Sequence, residues 1–457
     1  VDLDEARWLR LAPRPGERLT VAAERVLREA ILDGSLRPGV RLPSSRSLAA
    51  QFGVSRGVVT DAYEQLTAQG FVLARIKAAP VVADIPVRVP VRRAQQRPAA
   101  RIRFDFTPTT PDVLQFPVRQ WATYLATAAR AMPVSGYDYG DPRGTAELRE
   151  VLAGHLGRTR GVIADPENIM VVHGTSQGVD LLMRVLAAGG VRRVAVEDPA
   201  LPSQAQRIAA HGMEAQPAPV DSCGVSVDAL DAAAVLVTPA HQFPTGVVMS
   251  GPRRRALLEW AERTSGLVLE DDYDAEFRYD RQPVRALQGL DPGHVAYLGT
   301  TSKTLAPALR LAWVVLPGQL MPEAQRIRNL LDVCPTVVDQ QALALLIGRG
   351  DYDRHVRRAR KAYRRRREHL TAALAGRMPE LPVEGIAAGM HLVLRLPPGT
   401  SDVEVAARAR AAGVHVEPLS DFSLTGTASG ALVLGYGRIP ERDIEAAVDA
   451  LTRVLRT

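Results

Sequence analysis

Lys303 stands in the stretch from Tyr297 to Arg310, YLGTTSKTLAPALR, among small and hydroxylated residues between two apolar runs. The chain holds 57 Lys and Arg but only three lysines, Lys77, Lys303 and Lys361, so arginine serves wherever positive charge alone suffices. An amine can lose its proton and form an imine, which a guanidinium with a pKa above ~12 does not do. Lys303 is therefore a candidate covalent anchor for a carbonyl ligand. The plainer alternative is a surface lysine that escaped a compositional drift.

Other clusters bear on that choice. Gly174-Thr175-Ser176-Gln177-Gly178 follows the apolar run IMVVH and opens a helical pattern, a setting in which free backbone N–H groups attract an anion. The same string satisfies G-x-S-x-G, the nucleophile elbow of hydrolases, with Ser176 as nucleophile and a downstream Asp and His as partners. No HGGG-type string lies upstream of it, and a hydrolase leaves Lys303 without a role. Glu270-Asp271-Asp272-Tyr273-Asp274 ends another apolar run, LVLE. Neighbours on a strand point to opposite faces and make a poor calcium cage, whereas Asp271 and Tyr273, two apart, share a face. They suit the two edges of a flat heterocycle, the carboxylate holding a pyridine nitrogen protonated and the phenol donating to a ring oxygen. Thr300 and Ser302 flank Lys303, and Arg310 follows seven residues on; hydroxyls and a guanidinium suit a phosphate dianion. Amine, carboxylate, phenol and phosphate seat together specify pyridoxal 5′-phosphate (PLP).

The elements that must position these residues are legible too. From about Phe104, β-branched runs alternate with helical segments: IMVVH, SQGVDLLMRVLAAG, RRVAVED, AAVLVTP, LVLED, VAYLGT. This alternation predicts a mostly parallel sheet with helices on both faces, its ligand at the carboxyl ends of the strands, where the clusters fall.

The first hundred residues differ in kind. They hold 16 Lys and Arg against 10 Asp and Glu, a balance of +6, whereas the other 357 hold 41 against 40. A basic head on a neutral body points to a polyanion. Thr20 to Asp33 has helical apolar spacing with Thr20 placed to cap it; Ser44-Ser45-Arg46-Ser47 opens a short helix to Phe52; Gly53 turns the chain; Ser55 opens a third helix to Gln69. With the strand-like Phe71 to Val82, this is the order of a winged helix-turn-helix. Its third helix would present Ser55, Arg56 and Thr60 to the major groove of double-stranded DNA, with Arg46 on a phosphate. Residues 84–103, with three prolines and six arginines, form a linker.

The string AILDGSLRPGVRLPSSRSLAAQFGVSRGVVTDAYEQLTAQGF resembles the GntR-type DNA-binding domain from about Leu19 to Phe71. The resemblance implies a wing carrying Arg75 and Lys77 to DNA; such wings usually turn on glycines, and residues 75–80, RIKAAP, contain none. YDYGDPRGTAELREVLAGHL, TPAHQFPTGVVMS, LEDDYDAEFRYD and GTTSKTLAPALR resemble fold-type I aminotransferases. That fold implies a dimer whose Tyr139 reaches the partner's phosphate. A GntR head on such a body is similar to the MocR family of transcriptional regulators. Departures from the enzyme pattern are Phe243 where aminotransferases place the asparagine before PTG, Leu201 where an aromatic stacks on the ring, and Ser203 and Val433 where amino-acid-sensing relatives are expected to carry arginines. Without a carboxylate clamp an amino-acid substrate lacks an orienting partner.

At 457 residues several domains are expected. We assign 14–83 to a winged helix-turn-helix and 104–457 to an α/β fold-type I PLP-dependent aminotransferase-like body, with a large part at about 131–320 and a smaller C-terminal part at about 321–457. Two cysteines, no apolar run of membrane-span length and no signal-peptide core imply a cytoplasmic protein without metal or membrane. The expected function is a dimeric, PLP-responsive regulator of vitamin B6 synthesis, not an enzyme. The alternatives are a regulator sensing an amino compound through PLP, an active aminotransferase, and a serine hydrolase using Ser176. The arginine-dense segment 353–370 is expected to be a solvated helix face, with DNA contact as the alternative.

Overall fold

The computed structural model describes residues 8–75, 78–84, 102–279 and 284–456. The chain divides into two compact units on either side of residue 99. Lys77, the side chain of Arg75 and most of the 84–103 linker lie outside the described residues.

In the head, helix Leu19–Leu32 buries Ala22, Ala23, Leu27, Ala30 and Ile31 along one stripe. It begins earlier than expected: Arg18 is the N-cap and Thr20 already lies in the first turn, so Thr20 does not cap it. Ser44 does cap helix Ser45–Phe52, its Oγ accepting from the Ser47 amide at 3.1 Å. Gly53 follows with φ 68°, a left-handed conformation that glycine adopts at no steric cost. That turn sends helix Arg56–Ala68 back across the first two, and Leu27, Leu48, Val59 and Leu66 share a core. Strands Val72–Arg75 and Ala78–Val82 pair antiparallel as the wing.

The body is built on an eight-stranded sheet. In spatial order its strands are Ile169–Val172, Ala312–Val315, Val295–Thr300, Leu267–Asp272, Ala234–Val237, Arg193–Asp198, Glu214–Asp221 and Gly224–Val225. Five of them, from Val295–Thr300 to Glu214–Asp221, run parallel. Ala312–Val315 is antiparallel to both its neighbours, and Gly224–Val225 closes the far edge antiparallel. The central strands are buried on both faces, which is why they read as continuous apolar runs without alternation. One face packs on helix Thr175–Ala188 through Val172, Leu182 and Leu298; the other packs on Leu152, Tyr297, Trp313 and Leu343.

A second, antiparallel sheet of Val383–Glu384, His391–Arg395, Ala431–Gly435 and Glu417–Pro418 forms the smaller part. Its core also takes in Phe104 and Phe106 from the start of the body. Met321, Ala324 and Ile327 pack in one core of the eight-stranded sheet and Leu343, Leu346 and Tyr352 in the other, while Ala359 and Tyr363 pack in the core of the second sheet. The arginine-dense segment lies in the 27-residue helix Asp351–Arg377. Not all of it is a solvated face, since Arg366 donates to Asp112 at 2.6 Å and to the Gly437 carbonyl.

Removing the best-formed cap in the head, by Ser44→Ala, should cost about 1 kcal/mol. Denaturant unfolding of the full chain, followed on the head's transition, measures it; an unchanged midpoint contradicts the assignment.

Candidate functional site

The strand ends converge on a cavity of about 220 Å³ in the body. Lys303, Asp271, Tyr273, Thr175, Ser176, Thr300, Ser302 and Arg310 all line it, although they come from four separate strand-to-loop junctions.

Lys303 follows strand Val295–Thr300 in a turn braced by hydroxyls: the Ser302 amide and the Thr300 hydroxyl donate within it, Ser302 N to Thr300 Oγ1 at 3.1 Å and Thr300 Oγ1 to Ser302 Oγ at 3.0 Å. Burial holds the lysine's pKa below the usual amine value, with Asp271 and Asp274 opposing the shift. A larger neutral fraction makes the amine a better nucleophile. Asp271 sits in register with Leu298 on the neighbouring strand. Burial, then the charge of Asp272, pushes its carboxyl up to about 7, and its Oδ1 is buried with no hydrogen-bond partner in the protein. Tyr273 is buried beside Phe243, its hydroxyl 3.2 Å from His241 Nδ1.

The anion seat is built from helix Thr175–Ala188 and Arg310. Gly174, at φ 82°, is the helix's N-cap, and a Cβ there would meet the Arg310 guanidinium at 2.3 Å; only glycine lets the arginine close over the helix start. Arg310 donates to the His173 carbonyl at 2.7 Å. Free N–H groups at the helix start, the hydroxyls of Thr175, Ser176, Thr300 and Ser302 and a guanidinium thus line one cavity.

Gln177 is not part of this seat. Its side chain turns the other way, accepting from the His173 amide and Arg328, both at 2.7 Å, and donating to Asp332 at 2.9 Å. The buried Arg328 guanidinium needs those partners, and it draws the amide out of the cavity. Tyr139 is 82 % exposed and does not line its own chain's cavity.

Sequence reasoning missed Glu197, Thr238, Gln204 and Thr109, which also line the cavity. Glu197 is fully desolvated; burial raises its pKa to about 7 even though its Oε2 accepts from the Thr238 amide at 3.0 Å and hydroxyl at 2.6 Å. Its position in VED, at the carboxyl end of strand Arg193–Asp198, was the available signal. Phe243 and Leu201 line the cavity, while Gln242 spends its amide on the carbonyls of Pro199 and Phe243. Val433 is fully buried, and Arg438 pairs with Asp105 at 3.0 Å.

Behind Tyr273, His241 Nδ1 meets Asp274 at 2.9 Å and the His241 and His391 rings lie 4.8 Å apart. His241, Asp274 and His391 are the one buried grouping of metal-ligand type among the described residues, but His241 Nδ1 and His391 Nε2 are already engaged with Asp274 and the Pro244 carbonyl.

A DNA-binding head joined to an α/β body with a buried lysine at its strand ends defines the class: a regulator-like chain on an aminotransferase-like scaffold. Residues 19–82 match the family described as bacterial regulatory proteins, gntR family, and residues 113–451 match aminotransferase class I and II. The chain is 33% identical over 417 residues to the HTH-type pyridoxine biosynthesis transcriptional regulator PdxR of Corynebacterium glutamicum, covering 90% of each. It is 32% identical to the probable rhizopine catabolism regulatory protein MocR of Rhizobium meliloti, covering 93% of this chain and 91% of that one. The crystal structure of an archaeal alanine:glyoxylate aminotransferase superposes with a TM-score of 0.72 at 26% identity, over 77% of this chain and 90% of that chain. The chain belongs to the MocR family, in which a gntR-type head is fused to an aminotransferase class I and II body.

PLP fits the donor set: an orphaned carboxylate oxygen for a ring nitrogen, a phenol for a ring oxygen, an amine for the carbonyl and a helix start with arginine for the phosphate. The ligand-free site also makes a pH prediction. Folded Asp271 keeps its proton up to about pH 7, whereas the unfolded chain releases it near 3.8, so this group's contribution to stability falls as pH rises through that window. Asp271→Asn should therefore flatten the decline of ligand-free stability between those limits. Identical slopes for the two proteins would contradict the shift.

Proposed function

We propose that this protein is a PLP-responsive transcriptional regulator of vitamin B6 synthesis genes, acting as a cytoplasmic homodimer. The observation that carries the proposal is the unpartnered Asp271 carboxylate facing the same cavity as the desolvated amine of Lys303. When bound, PLP supplies an electrophilic carbonyl and an electron-withdrawing ring. Lys303 Nζ, its pKa held below the usual amine value by burial, would attach to that carbonyl with loss of water; Asp271 would accept from the ring N–H, and Tyr273 would donate to the ring oxygen. Thr175, Ser176, Thr300, Ser302 and Arg310 hold the phosphate. Phe243 and Leu201 would offer the ring apolar wall.

Several observations favour the cofactor itself as effector over an amino acid. Among the described residues Arg310 is the one arginine that lines the cavity, and we assign it to the phosphate. A substrate carboxylate is thus left without a bidentate partner. PdxR, named for pyridoxine biosynthesis, is the relative that motivates the choice of target genes.

Dimerisation is supported by exposed apolar side chains. Val134, Tyr137 and Tyr139 stand exposed on one segment and Leu330, Leu331 and Val333 on another, and Gly140 N donates to Cys334 Sγ at 3.4 Å between them. Such a patch is what a second copy would cover, and Tyr139 would then reach the partner's phosphate seat. In the head, Arg46, Ser55 and Arg56 are exposed at the starts of the second and third helices, Arg56 Nε 3.1 Å from Ser45 Oγ. Thr60 is half-buried and its hydroxyl donates to the Arg56 carbonyl at 3.0 Å. We assign Arg46, Ser55, Arg56 and Thr60, with Arg75 and Lys77 of the wing, to DNA contact.

A ligand shifts an equilibrium only through its different affinities for the two states. PLP should therefore change operator affinity or operator bending in the wild type and leave Lys303→Ala unchanged, as read by gel shift and fluorescence anisotropy. If PLP binds the wild type and neither quantity moves, the proposal fails. Rapid transamination of amino acids by the purified protein would favour the enzyme alternative instead.

A further inference from the structure

On the far side of strand Leu267–Asp272 from the lysine lies a larger cavity, of about 420 Å³. Asp271 lines the lysine cavity, while the next residue on the strand, Asp272, takes a buried two-pronged ion pair from Arg160, which lines the second one. The walls are the end of helix Ala146–Arg160, the turn at Ala275–Phe277 and the first turns of helix Asp351–Arg377. No role in the functions described above uses this space.

Its lining is rich in guanidinium groups. Arg158, Arg160, Arg278, Arg357 and Arg360 face two acids, Glu276 and Asp353. Arg160 is committed to Asp272. Arg360 Nε donates to the Glu276 carbonyl at 2.7 Å and Arg158 Nη1 to the Gly154 carbonyl at 3.0 Å, both neutral acceptors. Among the described residues neither these two nor Arg357 forms an ion pair with a carboxylate. Each guanidinium has five N–H donors, so most of theirs remain. Asp353 lies 3.6 Å from His155 Nδ1. The Glu276 carboxyl, pushed up to about 7 by burial and by Asp272, carries less than a full charge near neutrality. Positive charge concentrated in a concave space concentrates anions, and the volume falls in the range of ~300–1,000 Å³ of small-molecule sites.

The cavity is also wired to the lysine. Tyr352, in its wall, donates to Thr304 Oγ1 at 2.9 Å, and His355 Nε2 lies 2.7 Å from the Thr304 carbonyl. Thr304 directly follows Lys303. One wall thus continues through Asp272 to Asp271, and another through Thr304 to Lys303.

We propose that this cavity is a second effector site, which takes a small molecule bearing phosphate or carboxylate groups on Arg158, Arg357 and Arg360, and whose occupancy is linked to that of the lysine cavity. The linkage rests on the PLP proposal; the binding does not.

The test is calorimetric titration of the full chain with inorganic pyrophosphate and with citrate at matched ionic strength. Three proteins are compared: Lys303→Ala/Arg310→Gln, to silence the phosphate seat; the same protein with Arg357→Gln/Arg360→Gln added; and the same protein with Arg158→Gln added. Saturable binding of one probe per chain is expected in the first, weakened at least about tenfold by either addition, as loss of charged hydrogen bonds implies. Arg158, Arg357 and Arg360 are exposed, so folding is retained. Absence of saturable binding, or equal binding in all three, overturns the proposal. So does a result in which the arginine substitutions leave anion binding alone but lower the salt slope of operator binding, which assigns the arginines to DNA phosphates. In the otherwise wild-type chain, the probe must change PLP affinity by the same factor as PLP changes the probe's; independence of the two removes the linkage alone.

Discussion

The end of strand Leu267–Asp272 and the turn after it crowd four carboxylates into five residues, three buried and Asp271 partly so, and a low-dielectric interior tolerates such groups only when each is paired or protonated. Glu270 accepts from the Leu287 and Gln288 amides at 2.9 and 3.0 Å. Asp272 takes Arg160 at 2.6 Å and the Tyr297 hydroxyl at 2.7 Å. Asp274 meets His241 at 2.9 Å. Asp271 alone keeps a buried oxygen without a protein partner. Three carboxylates hold the scaffold together through helix Ala146–Arg160, the segment after residue 284 and the loop at His241, and the fourth is left for a ligand that brings its own proton.

The cavity's lining bears on the proposed role as a sensor. Catalysis of amino-group transfer needs the substrate held as firmly as the cofactor. Here Thr175, Ser176, Thr300, Ser302 and Arg310 bring donors to the cavity, while Phe243 and Leu201 add apolar wall beside Glu197, Gln204 and Thr238. Arg438, three residues past strand Ala431–Gly435, pairs with Asp105 at 3.0 Å. The relatives MocR and PdxR are named as regulators, and the aminotransferase class I and II fold is retained in the body.

Much of this was legible in the chain. Periodicity and glycine placement gave the helix-turn-helix, since Ser44 and Gly53 act through local backbone chemistry. The βα alternation located the strand ends, and the chemistry-bearing residues cluster there because that is where a parallel sheet leaves space. What was hidden is tertiary. Gln177 sits within the right motif, yet Arg328, 151 residues away, turns its side chain out. Glu197 passed as part of an acidic strand end until desolvation set it in the cavity. Thr20 lost its cap role to a helix that starts one turn position earlier, and helix Val337–Gly348 joined the large part because its apolar face completes the core around Trp313. The second cavity draws on three segments from Ala146 to Arg377 that share no local pattern.

The central claim, that Asp271 and Lys303 are the two fixed points of one ligand, is tested most directly by reducing the PLP-treated protein with borohydride and mapping the modified peptide. The account predicts a visible absorbance band before reduction and a single pyridoxyl group on Lys303, with the band weakened in Asp271→Ala. A label on Lys77 or Lys361, or no label with PLP in excess, would contradict it.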